Sequence, residues 1–127
     1  MDFHVTAAQR DLQQRARDLA ADFATRAAQH DRDASDPVEN YAALRAAGFY
    51  GLNVPRELGG AGIGLLGWSL AAEELAQGCA STALSFNMHL SVVGPVMASP
   101  LVPRASANTR SAGAAGGWAF PRPTPIC

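Results

Sequence analysis

The sequence of 127 residues contains no lysine, and no aspartate or glutamate follows Glu74. Without a lysine the chain cannot form a P-loop, because that motif places a lysine on the phosphates of a nucleotide. The ten arginines are dispersed and are opposed by eleven acidic residues, so the formal net charge is −1. A nucleic-acid-binding protein needs a basic cluster that neutralises phosphates, and this chain is therefore not expected to bind nucleic acid.

Cysteine is also scarce, since the chain has only Cys79 and Cys127. Two cysteines so far apart, behind N-terminal residues that lack the basic and apolar pattern of a secretory signal, indicate free thiols in a reducing compartment. The predicted location is therefore the cytoplasm. The most apolar stretch, residues 83–98, is interrupted by polar residues, Gly94 and Pro95. It is shorter than the roughly 20 residues that span a bilayer, so no membrane association is predicted.

The length of the chain allows one domain. The first helix of this domain is predicted over residues 7–30. Thr6 and Gln9 have the spacing of a capping box, in which the threonine hydroxyl accepts from the Gln9 amide and the glutamine side chain reaches back. Apolar residues then recur every three or four positions, as on one face of a helix. These residues are Leu12, Ala16, Leu19, Phe23 and Ala27.

A second helix is predicted over residues 37–47. Asp36 would be its N-cap, Pro37 its first residue and Glu39 the third residue after the cap, which is a typical helix start. Gly48 is expected to end it. Its predicted buried stripe consists of Val38, Tyr41 and Leu44.

A glycine-rich loop follows the second helix. Four glycines, Gly59, Gly60, Gly62 and Gly64, lie within six positions after Pro55 and predict a hinge between helices that can take positive φ. A dinucleotide-binding loop is the alternative. The spacing here is G-x-G-x-G and not G-x-G-x-x-G, and a proline stands where a buried strand would precede such a loop, so this alternative is disfavoured.

A third helix, predicted over residues 67–77, carries Glu73 and Glu74. Adjacent residues lie about 100° apart around a helix axis, so these carboxylates cannot work as a paired acid and base, and surface or inter-helix salt bridges are expected. Residues 67–71 approach the nucleophile-elbow motif but end in alanine and have no buried strand before them. At residues 30–33, neighbouring carboxylates point in different directions, so no metal site is predicted.

A fourth helix is predicted over residues 81–98, capped by Ser81 or Thr82. It is apolar nearly all round, which is typical of a helix inside a larger assembly, and part of it is expected to be uncovered in this chain. His89 is interpreted as a polar contact at a packing seam. The apolar residues are Ala83, Leu84, Phe86, Met88, Leu90, Val93 and Val96.

Residues 100–127 differ in composition from everything before them. They are rich in proline, glycine, alanine and arginine, contain no acidic residue and have no periodicity, which predicts a disordered or non-homologous tail. A shifted reading frame in a GC-rich gene is a second explanation for so abrupt a change.

The ordered set of motifs from Gly48 to Thr82 carries a family resemblance. It reads GFYGLNVPRELGGAGIGLLGWSLAAEELAQGCAST. This segment resembles the N-terminal helical domain of acyl-CoA dehydrogenases, and the resemblance extends over about residues 3–99. It implies an all-α fold, a helical up-and-down domain with four main helices, followed by the tail at residues 100–127.

The resemblance also implies a function. Acyl-CoA dehydrogenases use FAD to oxidise an acyl-CoA thioester to its 2,3-enoyl form, pass electrons to an electron-transfer acceptor and are homo-oligomers. The family's glutamate base and main flavin contacts lie in its later domains, so no catalytic, cofactor-binding or metal residue is predicted here. The chain alone is expected to be inactive and not to retain FAD. The alternative is a non-enzymatic helical interaction module or remnant.

The same resemblance implies three substrate-binding residues on the fourth helix. In the family this helix lines the far end of the acyl pocket, and the matching positions here are Ala83, Leu84 and Asn87. Simple core packing is the alternative role for them. Some family members carry an acid near this place, whereas Asn87 is uncharged, so no charge-based role at the pocket floor is expected.

Overall fold

A computed structural model describes residues 4–100 of the protein. Its four α-helices are α1 (Ala7–Asp33), α2 (Val38–Ala46), α3 (Gly64–Gly78) and α4 (Ala80–Ala98). Short 3-10 helices at Phe49–Gly51 and Arg56–Leu58 lie between α2 and α3, and residues 4–100 contain no strand. The predicted all-α fold is confirmed. Apart from Pro100, the predicted tail lies outside the described residues.

The start of α1 agrees with the prediction in detail. The Gln9 amide donates to Thr6 Oγ1 at 3.2 Å, and the Thr6 amide donates to Gln9 Oε1 at 2.9 Å, so both bonds of the capping box are present. The helix runs three residues beyond the predicted end, to Asp33. It stops where Ala34 takes the left-handed conformation, with φ of 48°, and donates its amide to the His30 carbonyl.

Two predictions for α2 are wrong, one about its N-cap and one about its buried stripe. Pro37 and not Asp36 is the N-cap, and no side chain caps the helix. Val38 is 64% exposed, so it does not belong to the buried stripe. The inward positions of this short helix are Asn40 and Leu44, both fully buried, which places Val38 about 200° away from Asn40 and therefore outside.

The predicted cap of α4 is also wrong. The helix begins at Ala80 after an extended Cys79, and neither Ser81 nor Thr82 caps it. The Thr82 hydroxyl is used inside the protein instead, because it donates to Cys79 Sγ at 3.2 Å and accepts from Asn40 Nδ2 at 2.9 Å. The α3 helix starts at Gly64, three residues before the prediction, since a glycine with φ of 70° can bend the loop directly into the helix.

The core lies where α1, α3 and α4 meet, with α3 packed against both neighbours. Phe49 and Phe86 form a tilted aromatic pair with ring centroids 6.0 Å apart. Burying each large apolar side chain contributes roughly 1.5–3 kcal/mol, so these contacts determine how the helices are arranged. The largest fully buried apolar side chains are Phe23, Phe49, Phe86, Leu44, Leu75 and Leu90.

A buried polar connection joins α1, α2 and α4. Asn40 is fully buried, accepts from Arg26 Nε at 2.7 Å through Oδ1 and donates to Thr82 through Nδ2. Arg26 is in turn paired with Asp22 one helical turn earlier. Because every polar atom of the Asn40 amide group has a partner, this amide fixes the position of α2 without leaving an unpaired group in the core.

Candidate functional site

The outer face of α4 carries a row of exposed apolar side chains. Leu84, Met88, Val92 and Val96 follow one another at intervals of four residues and are 51–63% exposed. Residues spaced by four lie one turn apart on the same side of a helix. No Asp, Glu, Lys or Arg occurs in α4, so this surface, which we call the α4 row, is uncharged along its length.

The three residues predicted to bind substrate occupy different environments. Ala83 is 3% exposed and packs in the core, whereas Leu84 is 62% exposed and belongs to the α4 row. Asn87 is half-buried at the edge of the row. The structure therefore brings Leu84 and Asn87 to the outer side of α4 and places Ala83 against the interior.

The structure adds residues that sequence reasoning did not place at this site. Met88 and Val92 extend the surface that Leu84 begins. Trp68 reaches it from α3 and donates its indole N–H to Asn87 Oδ1 at 2.8 Å. The four-residue spacing of the exposed apolar residues could have indicated the row, but no local pattern indicates which side chain meets the indole.

The glycine-rich loop is closed by its own backbone. The amides of residues 60–63 donate to backbone carbonyls of residues 51–55 at 3.0–3.1 Å. A side chain at Gly60 would overlap the Val54 backbone, which is why this position needs glycine. A phosphate-binding loop presents free amides to its ligand, and these amides are already paired. The loop is therefore a closed connection between α2 and α3, and its role as a hinge stays a prediction.

Glu74 forms an inter-helix salt bridge. It is 6% exposed and accepts from Arg17 Nη2 at 2.6 Å, Arg17 Nε at 3.1 Å and Gln13 Nε2 at 2.8 Å. The hydrogen bonds from Arg17 are the main cause that lowers the pKa of Glu74 below its ordinary value; burial acts in the opposite direction. A carboxylate held in this way is a weak base, so Glu74 serves to join α1 and α3.

Cys79 is buried at the junction of α3 and α4. Burial raises the pKa of its thiol, but hydrogen bonds from Ser81 and Thr82 lower it by more, so the pKa lies below the ordinary value. Thr82 is itself held by Asn40, which connects the sulfur to the buried polar groups of α1 and α2. With 6% of its surface exposed, Cys79 contributes to this junction as a packed side chain.

Within residues 4–100, no three histidine, cysteine or acidic side chains come together in a way that could hold a metal ion. None of the helices in the same range is both long and apolar enough to cross a membrane.

Comparison with known proteins identifies a family. The model of the acyl-CoA dehydrogenase N-terminal domain matches residues 6–99. A 3-sulfinopropanoyl-CoA desulfinase of Variovorax paradoxus is 44% identical over 80 residues, which cover 62% of this chain and 20% of the relative. A protein of the same name from Advenella mimigardefordensis is 36% identical over 96 residues, 74% of this chain and 24% of the relative.

A vertebrate enzyme is also similar. The mitochondrial short-chain specific acyl-CoA dehydrogenase of Bos taurus is 34% identical over 93 residues, 68% of this chain and 23% of the relative. No solved structure matches the chain. The chain thus spans about a fifth to a quarter of the length of these relatives. Four helices in the expected order and a family match over residues 6–99 lead to one conclusion: the chain belongs to the acyl-CoA dehydrogenase family, of which it contains the N-terminal domain.

Proposed function

We propose that this chain is the N-terminal part of a FAD-dependent oxidoreductase that removes two hydrogens from the α and β carbons of an acyl-CoA thioester. The proposal includes acyl-CoA as substrate, an electron-transfer acceptor as partner, a homo-oligomer as the complete assembly and the cytoplasm as location. The domain itself is proposed to comprise residues 3–99, with residues 100–127 as a separate tail.

The observation that carries this proposal is the α4 row. Leu84, Met88 and Val92 offer uncharged apolar surface that a soluble helix normally turns inward. An acyl chain is apolar along its length, and ligand pockets are lined mainly by apolar groups with a few polar ones. We therefore assign Leu84 and Asn87 to the wall of the acyl pocket, with Ala83 supporting that wall from the core side.

The described residues do not fit the flavin. The loop amides are paired within the loop, and Glu74, the last carboxylate of the sequence, is held by Arg17. When bound, FAD supplies the acceptor for the hydride of the β carbon. Its site and the carboxylate base are proposed to lie in that part of the family polypeptide which this chain does not cover. The chain by itself is therefore proposed to be inactive.

The names of the relatives favour a short acyl group. The bovine relative is named as short-chain specific, and the Variovorax and Advenella relatives are named for the thioester of a sulfinopropanoyl group. We therefore propose that the acyl pocket of the present chain also accommodates short acyl thioesters.

A chimera tests the proposed function. Residues 6–99 of this chain would replace the matching residues of the bovine short-chain enzyme, and the product would be assayed with butanoyl-CoA, hexanoyl-CoA and an artificial electron acceptor. We expect a yellow flavoprotein that turns over at least one thioester. A chimera that folds and binds flavin but turns over neither thioester would contradict the proposal.

The second candidate is a non-enzymatic helical module that pairs through the α4 row, because exposed apolar surface of this kind also marks binding surfaces. Translating the gene beyond Pro100 in all frames discriminates between the two. Family sequence in another frame favours a dehydrogenase with a broken or wrongly assigned reading frame. Its absence in every frame favours the module.

A further inference from the structure

The contact between Trp68 and Asn87 fixes the orientation of an amide. The indole Nε1 lies 2.8 Å from Asn87 Oδ1. An indole nitrogen can only donate a hydrogen bond, so the atom that faces it must be the amide oxygen and not the amide nitrogen. The Asn87 Nδ2 group therefore points away from Trp68, with two N–H donors.

These donors are free to meet a ligand. Among residues 4–100 the side chain of Asn87 makes no hydrogen bond besides the one from Trp68. In the same range, the only buried side-chain nitrogen or oxygen without a partner is Asn53 Oδ1. Nδ2 of Asn87 is thus neither paired nor buried, and solvent or a ligand can reach it.

The surroundings of these donors are apolar. Asn87 lies about 60° around the α4 axis from Leu84, and Met88 is the next residue along the helix. Both neighbours are more than 60% exposed on the outer face. One oriented donor beside an apolar wall is the arrangement by which a pocket distinguishes ligands of equal shape that differ in a single acceptor atom.

We propose that Asn87 is a specificity-determining residue, held by Trp68 as a positioning residue, which selects acyl thioesters whose short acyl group carries an oxygen hydrogen-bond acceptor at or near its end. This inference rests on the proposed function, because it needs the acyl chain to lie along the outer face of α4. It adds to that function a preference that an entirely apolar pocket would not have.

The test compares two thioesters in the chimera described above. Hexanoyl-CoA and 5-oxohexanoyl-CoA have the same chain length and differ in one ketone oxygen near the end of the acyl group. We expect kcat/KM for the oxo compound to be about five- to tenfold higher, mainly through KM, since a neutral hydrogen bond has this order of strength.

Two variants separate the roles of the residues. Asn87→Asp retains an oxygen that can accept from Trp68, but it replaces the outward NH₂ group with a second oxygen that accepts and does not donate. We therefore expect the preference for the oxo compound to disappear or reverse. Trp68→Phe removes the indole N–H and retains an aromatic ring. We expect it to lower the preference for the oxo compound at least threefold, through a higher KM for that compound.

The outcomes distinguish this inference from the function on which it depends. Turnover of both thioesters with equal kcat/KM in the unmodified chimera would overturn the role of Asn87 and leave the proposed function standing. The same holds for a preference that survives Asn87→Asp. A chimera that folds and binds flavin but turns over neither these two thioesters nor butanoyl-CoA would overturn the proposed function and this inference with it.

Discussion

Gly78 at the end of α3 lies directly against the backbone of Ala20 in α1. A methyl group on Gly78 would overlap the Ala20 carbonyl oxygen and Cα, and both residues are buried. The two helices therefore approach as closely as their backbones allow at this point. The approach brings Gln13 and Arg17 within hydrogen-bonding distance of Glu74 one turn earlier in α3.

We predict that Gly78→Ala lowers the free energy of unfolding of the full chain by about 2 kcal/mol or more, because overpacking displaces backbone atoms that cannot rotate away. Gly67→Ala in the same helix is the matched control. Its methyl group would meet Ile63 Cβ at 3.2 Å, whereas a methyl group on Gly78 would lie 2.2 Å from the Ala20 carbonyl oxygen. The smaller overlap at Gly67 needs only a small displacement, and alanine favours the helix over glycine. Urea titration followed by circular dichroism measures both. Equal destabilisation by the two substitutions would contradict the prediction.

The Glu74 salt bridge predicts a pH dependence of stability. The pKa of Glu74 is lowered in the folded chain, chiefly by the hydrogen bonds from Arg17, so the stabilisation is complete above the ordinary value of 4.5 and is lost as the pH falls through the lower folded value. Glu74→Gln should therefore show a smaller loss of stability below pH 4.5 than the unmodified chain. Glu73→Gln, at the exposed neighbouring position, should retain the full loss. Identical pH profiles for all three proteins would refute this assignment.

Replacing the buried polar residue Asn40 should destabilise the folded chain strongly. Asn40→Ala leaves Arg26 Nε and the Thr82 hydroxyl without their partner and opens a cavity, so we expect a destabilisation of about 3 kcal/mol. Tyr41→Phe, on the same helix, removes only an exposed contact of 3.4 Å to Ser85 and should change stability by less than about 0.5 kcal/mol. Thermal unfolding of the three proteins measures the difference, and a mild effect of Asn40→Ala would show that the buried contacts contribute little.

A larger side chain at Leu84 should change the preference for acyl-chain length. In the chimera with the bovine enzyme, Leu84→Phe should shorten the acyl pocket and lower kcat/KM for hexanoyl-CoA about tenfold more than for butanoyl-CoA, because a larger side chain excludes the end of the longer chain. Val38→Phe is the matched control, since Val38 is similarly exposed but lies on α2. An unchanged ratio of the two substrates in Leu84→Phe would favour packing over substrate contact for this residue.

The closed glycine-rich loop leads to a prediction about the isolated chain. Purified protein incubated with FAD and then desalted should show no flavin absorbance, because the amides of residues 60–63 are already bonded to residues 51–55. The flavin-containing chimera serves as the positive control. A yellow chain after desalting, or turnover of acyl-CoA above a blank with free flavin, would contradict the prediction.

Local patterns predicted the features that depend on a few neighbouring residues. The capping box at Thr6 and Gln9 requires residues three positions apart, and the stripe from Leu12 to Phe23 repeats every three or four positions. The glycines predicted a loop that can take positive φ, and Gly59, Gly62 and Gly64 do so. The sequence also predicted surface or inter-helix salt bridges for the carboxylates of α3, and Glu74 forms the inter-helix kind.

Features that depend on distant contacts could not be predicted in this way. The orientation of α2 is decided by Asn40, whose partners are 14 and 42 positions away, and this orientation turns Val38 outward. The same limitation applies to Thr82, which a local pattern assigns to a helix cap and the fold uses in the core. Asn87 could be placed at the candidate site by family resemblance, but its contact with Trp68 depends on how α3 and α4 cross.

The two sets of contacts around α3 differ in how much chain they enclose, and this difference implies an order of folding. The loop bonds join residues 5 to 11 positions apart, from Gly60 with Pro55 to Ile63 with Leu52. Gln13 and Arg17, in contrast, are 61 and 57 positions from Glu74. Closing a long segment costs more chain entropy than closing a short one. We therefore expect the hinge, α3 and α4 to assemble first and α1 to dock last, with the close approach of Gly78 and Ala20 forming at the final step.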